Sequence, residues 1–147
     1  YDNICEMIEQ QRLEADVTLL GYREDVPDIL RALDVLVIPS TKHEGIPQIG
    51  LQALACGTPV VGSDAGGIPK IIRPNETGRI CLAGKVEPLS EVIKESLNKP
   101  EMTYRMSEEG RRFVQRGHGT DHMLDRLEQI YAKHLPMLED ERLESRK

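Results

Sequence analysis

Short, uninterrupted apolar runs that end in turn residues constrain the fold of this chain more than any other feature. Such runs, without polar alternation, are typical of strands buried on both faces of a parallel sheet. Segments of helical length separate them, and strand–helix alternation indicates βαβ units. The pattern therefore predicts an α/β fold with an open, Rossmann-like parallel sheet flanked by helices. The predicted strands cover residues 17–20, 35–38, 59–63 and, more weakly, 78–82.

The segments between the runs carry residues that begin and end helices. Proline favours the first turn of a helix, because its missing N–H has no intrahelical acceptor there and its φ is already helical. Asp25 is placed to cap the first of these helices, and Gly57 is placed to end the second. The prolines near the expected helix starts are Pro27, Pro47, Pro69 and Pro88.

Both ends of the chain are predicted to be helical. Residues 2–14 are expected to form a helix before the first apolar run. The C-terminal segment is helical from about residue 88, with helices predicted at 88–98, 101–116 and 121–135, followed by a frayed or helical extension after residue 136. The chain is therefore predicted to be a single domain over residues 1–147. One face of the last helix is expected to carry Leu124, Leu127, Ile130, Tyr131 and Leu135.

Composition excludes several classes of function. Aromatic residues make up 3% of the 147 residues and the formal net charge is −6, so we expect no nucleic-acid partner. A helix N-terminus can still bind one small anion without basic side chains. Cys5, Cys56 and Cys81 are odd in number and widely spaced, which predicts buried free thiols in a reducing, cytoplasmic setting.

Three loops are the candidate ligand sites, because ligands of open α/β sheets bind outside the carboxyl ends of the strands. They cover residues 21–25, 39–46 and 63–68. The second and third combine glycine with an imminent helix start, which exposes backbone N–H groups to an anion. The Gly66-Gly67 pair is interpreted either as a point of close ligand approach or as a turn.

Glu44 lies where one predicted strand has ended and a helix is about to begin. A carboxylate at this place can accept hydrogen bonds from a polyol or a ribose, or cap the helix near Pro47. Gln52 lies about two turns further along that helix, on a nearby face, so both residues can contact one ligand. Ligand loops contain no Asp-x-Asp pair, and His118 and His122 have no context of a metal site, so no metal is expected.

The stretch EGIPQIGLQALACGTPVVGSDAGGIPKII, residues 44–72, resembles the core signature of family 4 retaining glycosyltransferases of the GT-B fold (glycosyl transferases group 1). Residues 17–40 match the run into that signature, and residues 74–81 resemble its later turn. The resemblance implies a C-terminal domain, half of a GT-B architecture, that binds a nucleotide-diphospho-sugar donor without a further cofactor.

The resemblance also implies roles for individual residues. Glu44 becomes the catalytic-site carboxylate that contacts hydroxyls of the donor sugar. Gln52 occupies the place of a second acidic residue that binds the ribose, and an amide there lacks the charge-assisted hydrogen bond. The donor-binding positions are then Gly45, Ile46, Pro47, Gln48, Gln52, Gly66, Gly67, Tyr22 and His43.

The same resemblance implies that the chain is N-terminally truncated. The first strands of the nucleotide domain and the N-terminal acceptor-binding domain are expected to precede it, so the fragment alone is predicted to be inactive. Peripheral membrane contact of the full protein stays open. Two other interpretations are part of a GT-B-fold UDP-sugar epimerase and a non-catalytic nucleotide-binding or interaction module.

Overall fold

A three-stranded parallel sheet lies at the centre of the computed structural model, which describes residues 2–135. The sheet order is β1-β2-β3, with Val37 opposite Val61 and Gly62 opposite Ile80. The elements are α1 (Asp2–Gln11), α2 (Val26–Ala32), β1 (Leu36–Ile38), α3 (Gln48–Cys56), β2 (Val60–Ser63), α4 (Ile68–Ile71), β3 (Arg79–Cys81), α5 (Val86–Asn98), α6 (Pro100–Gly117) and α7 (Thr120–His134).

The three later apolar runs form the predicted strands. β2 lies between the other two strands, and all four of its residues are buried, as expected for a run without polar alternation. β1 and β3 are each three residues long, slightly shorter than the runs that contain them. The carboxyl ends of the parallel strands meet at one edge of the sheet, where the candidate loops begin.

The first predicted strand is not formed. Residues 17–20 lie outside every helix and strand, and the Leu20 side chain is 54% exposed. A run becomes a strand only when its backbone groups pair with a neighbour. Within residues 2–135, β1 pairs with β2 alone and nothing pairs with residues 17–20. The prediction is wrong for this structure because the run lacks a ladder partner, although its composition suits a strand.

The core lies between the sheet and α3. Ala53 and Leu54 of this helix are fully buried, and α2 and α6 pack against it. Gly110 of α6 packs directly on the Leu54 side chain, since a Cβ on Gly110 would lie 2.5 Å from Leu54 Cδ2. The other large buried apolar side chains are Leu30, Val61, Ile68, Ile71 and Ile72.

Of the two residues predicted to begin or end a helix, one is confirmed and the other is not. Gly57 ends α3 in the left-handed conformation, with φ of +78°, which confirms its prediction as a helix stop. Asp25 is the N-cap residue of α2 but its side chain makes no capping bond. Its carboxylate instead accepts hydrogen bonds from Arg23 at 2.8 and 2.6 Å, and this interaction lowers the pKa of Asp25. The predicted side-chain cap is therefore wrong.

The helical C-terminal segment is confirmed by α5, α6 and α7. None of the α7 residues is buried, and its predicted apolar face is exposed to solvent. Residues 136–147, with their predicted extension, lie outside the described residues. Buried free thiols are confirmed only for Cys81, because Cys5 and Cys56 are partly exposed.

Arg79 brings a nearly buried charge into the contact between β3, α5 and α6. Its side chain is 4% exposed, its Nη1 donates to Thr103 Oγ1 at 3.2 Å, and its Nε lies 3.6 Å from Glu95 Oε2. Nε and Nη2 have no hydrogen-bond acceptor among the described residues. Glu95 is more exposed, and the hydrogen bond from Lys99, more than the charge of Arg79, lowers the pKa of Glu95.

Replacing Arg79 with methionine is expected to leave the free energy of unfolding unchanged, or to raise it by up to about 2 kcal/mol. The substitution removes two buried nitrogens, Nε and Nη2, that have no hydrogen-bond acceptor among the described residues. It leaves no buried charge without a partner, because Glu95 keeps its ion pair with Lys99. Urea denaturation at 25 °C measures the change. Arg31→Met is the control, since Arg31 forms an exposed pair with Asp28. A loss above about 1 kcal/mol in Arg79→Met alone contradicts the prediction, because it exceeds an ordinary surface effect.

Candidate functional site

The loops that follow β1 and β2 are joined by two hydrogen bonds at the carboxyl edge of the sheet. Ser63 Oγ, at the end of β2, donates to the Ser40 carbonyl at 2.5 Å. The Gly67 N–H donates to the Glu44 carbonyl at 2.9 Å. These bonds fix the backbone on both sides of residues 41–43. Two of the three loops predicted to form the site are thus brought together.

The Glu44 carboxylate is oriented within its own loop. Ser40 Oγ donates a hydrogen bond to Glu44 Oε2 at 2.6 Å, and both side chains are partly buried. The structure shows no other hydrogen bond to this carboxylate among the described residues. It does not cap α3, which has no side-chain cap, so the capping interpretation of Glu44 is wrong. One oxygen accepts a hydrogen bond from Ser40, and the other accepts none from the described residues.

The Gly66-Gly67 pair packs against the backbone of Glu44 and Gly45. A Cβ on Gly66 would overlap the Glu44 carbonyl, and a Cβ on Gly67 would overlap the Gly45 carbonyl. Gly66 also has a φ of +52°, a conformation that favours glycine. The close approach expected at this pair is therefore to the neighbouring loop, and the Gly67 N–H is already bonded to protein.

The N-terminus of α3 begins directly after the Glu44 loop. Pro47 is its N-cap residue and lies just outside the first turn. The N–H groups at Gln48 and Ile49 have no intrahelical acceptor, as at every helix N-terminus, and none is supplied by the described residues. The positive end of the helix dipole lies at the same place. Gly45 and Ile46, between Glu44 and the helix, are exposed.

Gln48 and Gln52 share one exposed face of α3. They are four residues apart, a spacing that stacks side chains on consecutive turns. Both are exposed, whereas Ala53 and Leu54 point into the core. The structure therefore brings the two predicted glutamines together on the face that begins at the Glu44 loop.

Tyr22 and His43 lie at the periphery of these contacts. Tyr22 is 89% exposed, and no hydrogen bond joins its loop to the other two loops within residues 2–135. His43 is exposed and has a φ of +48°, an uncommon conformation for a residue with a Cβ. It directly precedes Glu44 in the loop after β1.

The sequence analysis missed a third connection, between β2 and the loop after β3. The Asp64 N–H donates to the Cys81 carbonyl at 2.9 Å, and Asp64 Oδ1 accepts from the Ala83 N–H at 2.7 Å. A largely apolar cavity of about 280 Å³ lies beside these contacts, with Pro39, Thr41, Ser63, Cys81 and Lys85 among its lining residues. Burial, and secondarily the charge of Asp64, raises the pKa of the Cys81 thiol.

The sequence analysis also missed Ser40 and Ser63 as parts of the site. The signal that identifies them is a serine at or two residues after the end of each of two adjacent strands, and Ser40 also lies four residues before the Glu44 carboxylate. Among residues 2–135 no three His, Cys, Asp or Glu side chains group as metal ligands, and His118 instead packs on Phe113 with ring centroids 4.9 Å apart. None of the helices within those residues has the length and apolar character needed to cross a membrane.

A comparison with known protein families identifies the family to which this fold and these loops belong. The model of the family "Glycosyl transferases group 1" matches residues 1–113, which include the sheet and every candidate site residue. The chain belongs to this family. A related protein is the N-acetyl-alpha-D-glucosaminyl L-malate synthase of Bacillus anthracis, 28% identical over 131 residues, which cover 89% of this chain and 34% of that enzyme.

Solved structures confirm the fold of this glycosyl transferases group 1 domain. Sucrose-phosphate synthase from Thermosynechococcus elongatus superimposes with a TM-score of 0.86 at 26% identity, covering 92% of this chain and 34% of that one. Anabaena HepE in complex with UDP-glucose gives a TM-score of 0.86 at 21% identity, covering 90% and 36%. The predicted open parallel sheet of a GT-B half is thus confirmed. The chain spans about a third of the length of these proteins.

Proposed function

We propose that this domain binds the nucleotide-diphospho-sugar donor of a longer, retaining glycosyltransferase of family 4. One observation carries the proposal: a carboxylate held by a hydrogen bond lies in the loop that leads into a helix N-terminus without a side-chain cap. Glu44, with one oxygen held by Ser40, lies four residues before Gln48, the first residue of α3. A sugar joined to a diphosphate needs this combination, because its hydroxyls donate to carboxylates and its phosphates accept from N–H groups.

The diphosphate is assigned to the N-terminus of α3 and the backbone before it. The free N–H groups there belong to consecutive residues, and the helix dipole favours an anion. This attraction is local, so it operates in a chain whose net charge is −6. Gly45 and Ile46 are the exposed backbone positions between the diphosphate and Glu44.

The remaining candidate residues surround this centre. Gln48 and Gln52 present amide groups along the exposed face of α3, and an amide can both donate hydrogen bonds to ribose hydroxyls and accept them. Tyr22 and His43 are proposed to lie at the rim of the bound nucleotide. The Gly66-Gly67 pair contributes by holding the Glu44 backbone in place.

The complete reaction is proposed to need a further domain. Retaining transfer requires an acceptor oriented against the donor and charge stabilisation on the leaving diphosphate. We expect the acceptor site to lie in that further domain, so the 147-residue chain is expected to bind donor without turnover. We propose a cytoplasmic enzyme that uses no metal and no cofactor besides the donor itself.

Titration of the folded chain with nucleotides and nucleotide sugars tests the proposal. UDP, GDP and ADP are compared with UDP-glucose, GDP-mannose and ADP-glucose by isothermal titration calorimetry. One nucleotide is expected to bind, and its sugar form is expected to bind more tightly. Glu44→Ala is expected to lower the affinity for the sugar form by about tenfold or more, since hydrogen bonds to charged groups contribute roughly 1.5–3 kcal/mol.

The control for this titration is Glu91→Ala, which removes an exposed carboxylate from α5, far along the chain from the loop. It is expected to change neither affinity. Failure of all six ligands to bind a folded chain at millimolar concentration contradicts the proposed donor binding.

A second candidate function is a non-catalytic nucleotide-binding module, and Gln52 is the observation that favours it. An amide replaces the acidic residue that the family places at this position, and it offers a weaker hydrogen bond to ribose. This alternative expects equal affinity for a nucleotide and its sugar form, and no effect of Glu44→Ala on either.

A further inference from the structure

We infer that Ser40 is a positioning residue for the donor sugar, acting through Glu44. Its hydroxyl holds Glu44 Oε2 so that Oε1 is presented to the ligand. The inference rests on the proposed function for the identity of the ligand, but the orientation of Glu44 by Ser40 is a property of the protein alone.

The hydrogen bond between the two side chains is short and local. Ser40 Oγ lies 2.6 Å from Glu44 Oε2, and both residues are partly buried. Hydroxyl donors to an ionised carboxylate form stronger bonds than neutral pairs. A glutamate side chain otherwise samples many rotamers at a surface, and this freedom is lost on binding. The Ser40 hydroxyl removes part of that freedom before the ligand arrives.

Ser40 is itself held in place from the neighbouring strand. Ser63, which is 1% exposed, donates from its hydroxyl to the Ser40 carbonyl at 2.5 Å. Ser40 directly follows Pro39, which follows the last residue of β1, and Ser63 is the last residue of β2. The Ser40 backbone is thus fixed to the edge of the sheet, and the Ser40 hydroxyl in turn fixes the position of the Glu44 carboxylate.

The other end of the same loop is also held. The Gly67 N–H donates to the Glu44 carbonyl at 2.9 Å, so the Glu44 backbone cannot shift freely. With both ends of the loop fixed, the conformation of the Glu44 side chain is what can still change. Among the described residues, this side chain has one hydrogen-bond donor, Ser40. Removal of that hydroxyl is therefore expected to free the carboxylate without displacing the backbone.

The test compares Ser40→Ala with Ser40→Thr, which retains a hydroxyl, and with Ser107→Ala as the control. Ser107 is buried, and its hydroxyl donates to the Tyr104 carbonyl within α6, away from the Glu44 loop along the chain. The first measurement is made on the ligand-free chain: NMR three-bond couplings report whether the Glu44 side chain occupies one rotamer. Single-rotamer couplings are expected in the unchanged chain, Ser40→Thr and Ser107→Ala, and averaged couplings in Ser40→Ala.

The second measurement is the affinity for UDP-glucose, GDP-mannose and ADP-glucose, each against its own nucleotide. Ser40→Ala is expected to lower the affinity for the sugar form that binds by about five- to tenfold, with nucleotide affinity unchanged. Ser40→Thr and Ser107→Ala are expected to retain both affinities.

The two measurements separate failure of this inference from failure of the proposed function. Unchanged Glu44 couplings in Ser40→Ala overturn the inference, whether or not any ligand binds. Averaged couplings with unchanged sugar affinity show that Ser40 orients Glu44 but overturn its role in positioning the donor sugar, whereas the contact between Glu44 and the sugar is tested separately by Glu44→Ala. A Ser40→Thr variant that behaves like Ser40→Ala overturns the role of the hydroxyl. An unfolding midpoint that falls equally in Ser40→Ala and Ser107→Ala does not alter these conclusions, because both NMR and binding are measured on folded chain.

Discussion

Replacing Gly66 with alanine is expected to lower the free energy of unfolding by roughly 2–5 kcal/mol. Two effects add at this position. Gly66 has a φ of +52°, which strains a residue with a Cβ, and that Cβ would overlap the backbone carbonyl of Glu44. A backbone carbonyl cannot rotate away as a side chain can. Urea denaturation at 25 °C, followed by circular dichroism, measures the loss.

Gly21→Ala is the matched control, because it isolates the first of these effects. Gly21 has a φ of +64°, and a Cβ added there would have no heavy atom of the described residues within 4 Å beyond its chain neighbours. It is expected to lose only the conformational part, about 1–2 kcal/mol. Gly117 lies at the end of α6 without a positive φ, and none of the atoms in residues 2–135 would contact its added Cβ, so Gly117→Ala is expected to change stability by less than about 0.5 kcal/mol. A Gly66→Ala variant no less stable than Gly21→Ala contradicts the contact between the loops.

The buried part of the fold follows from local patterns in the chain. β2 and its turn are predictable because every residue of the strand is buried, so its composition reflects the environment directly. The same reasoning fails at residues 17–20, whose composition also suits a buried strand. Strand formation depends on a partner that is distant along the chain, and a run of apolar residues does not reveal whether that partner is present.

The location of the candidate site could be predicted from the sequence, but the contacts between its loops could not. The rule that ligands bind beyond the carboxyl ends of parallel strands selected the loops of Glu44 and Gly66. It could not show that Gly66 and Gly67 contact Glu44, because loop-to-loop packing depends on the three-dimensional path of both segments. Ser40 was missed for a similar reason: a serine has many local partners, and only the structure shows that its hydroxyl reaches Glu44.

Replacing Leu54 with alanine is expected to lower the free energy of unfolding by about 2–5 kcal/mol, the second large effect that we predict. Leu54 is fully buried in α3, so the removed atoms leave a cavity between this helix and α6. Leu124→Ala is the control, since it removes the same atoms from α7, where Leu124 is 49% exposed. It is expected to change stability by less than about 0.5 kcal/mol. Equal losses in the two variants contradict the assignment of the core to the α3 interface.

Gly110 allows a second test of this contact, because a side chain added at Gly110 would occupy the space that Leu54 fills. A Cβ on Gly110 would lie 2.5 Å from Leu54 Cδ2, so Gly110→Ala alone is expected to be destabilising by overpacking, by about 1–3 kcal/mol. In Leu54→Ala that methyl group is gone, and the new Cβ partly fills the cavity. The double variant is therefore expected to be more stable than the sum of the single changes predicts, by about 1 kcal/mol or more. Additive losses would show that α3 and α6 do not approach each other through this glycine.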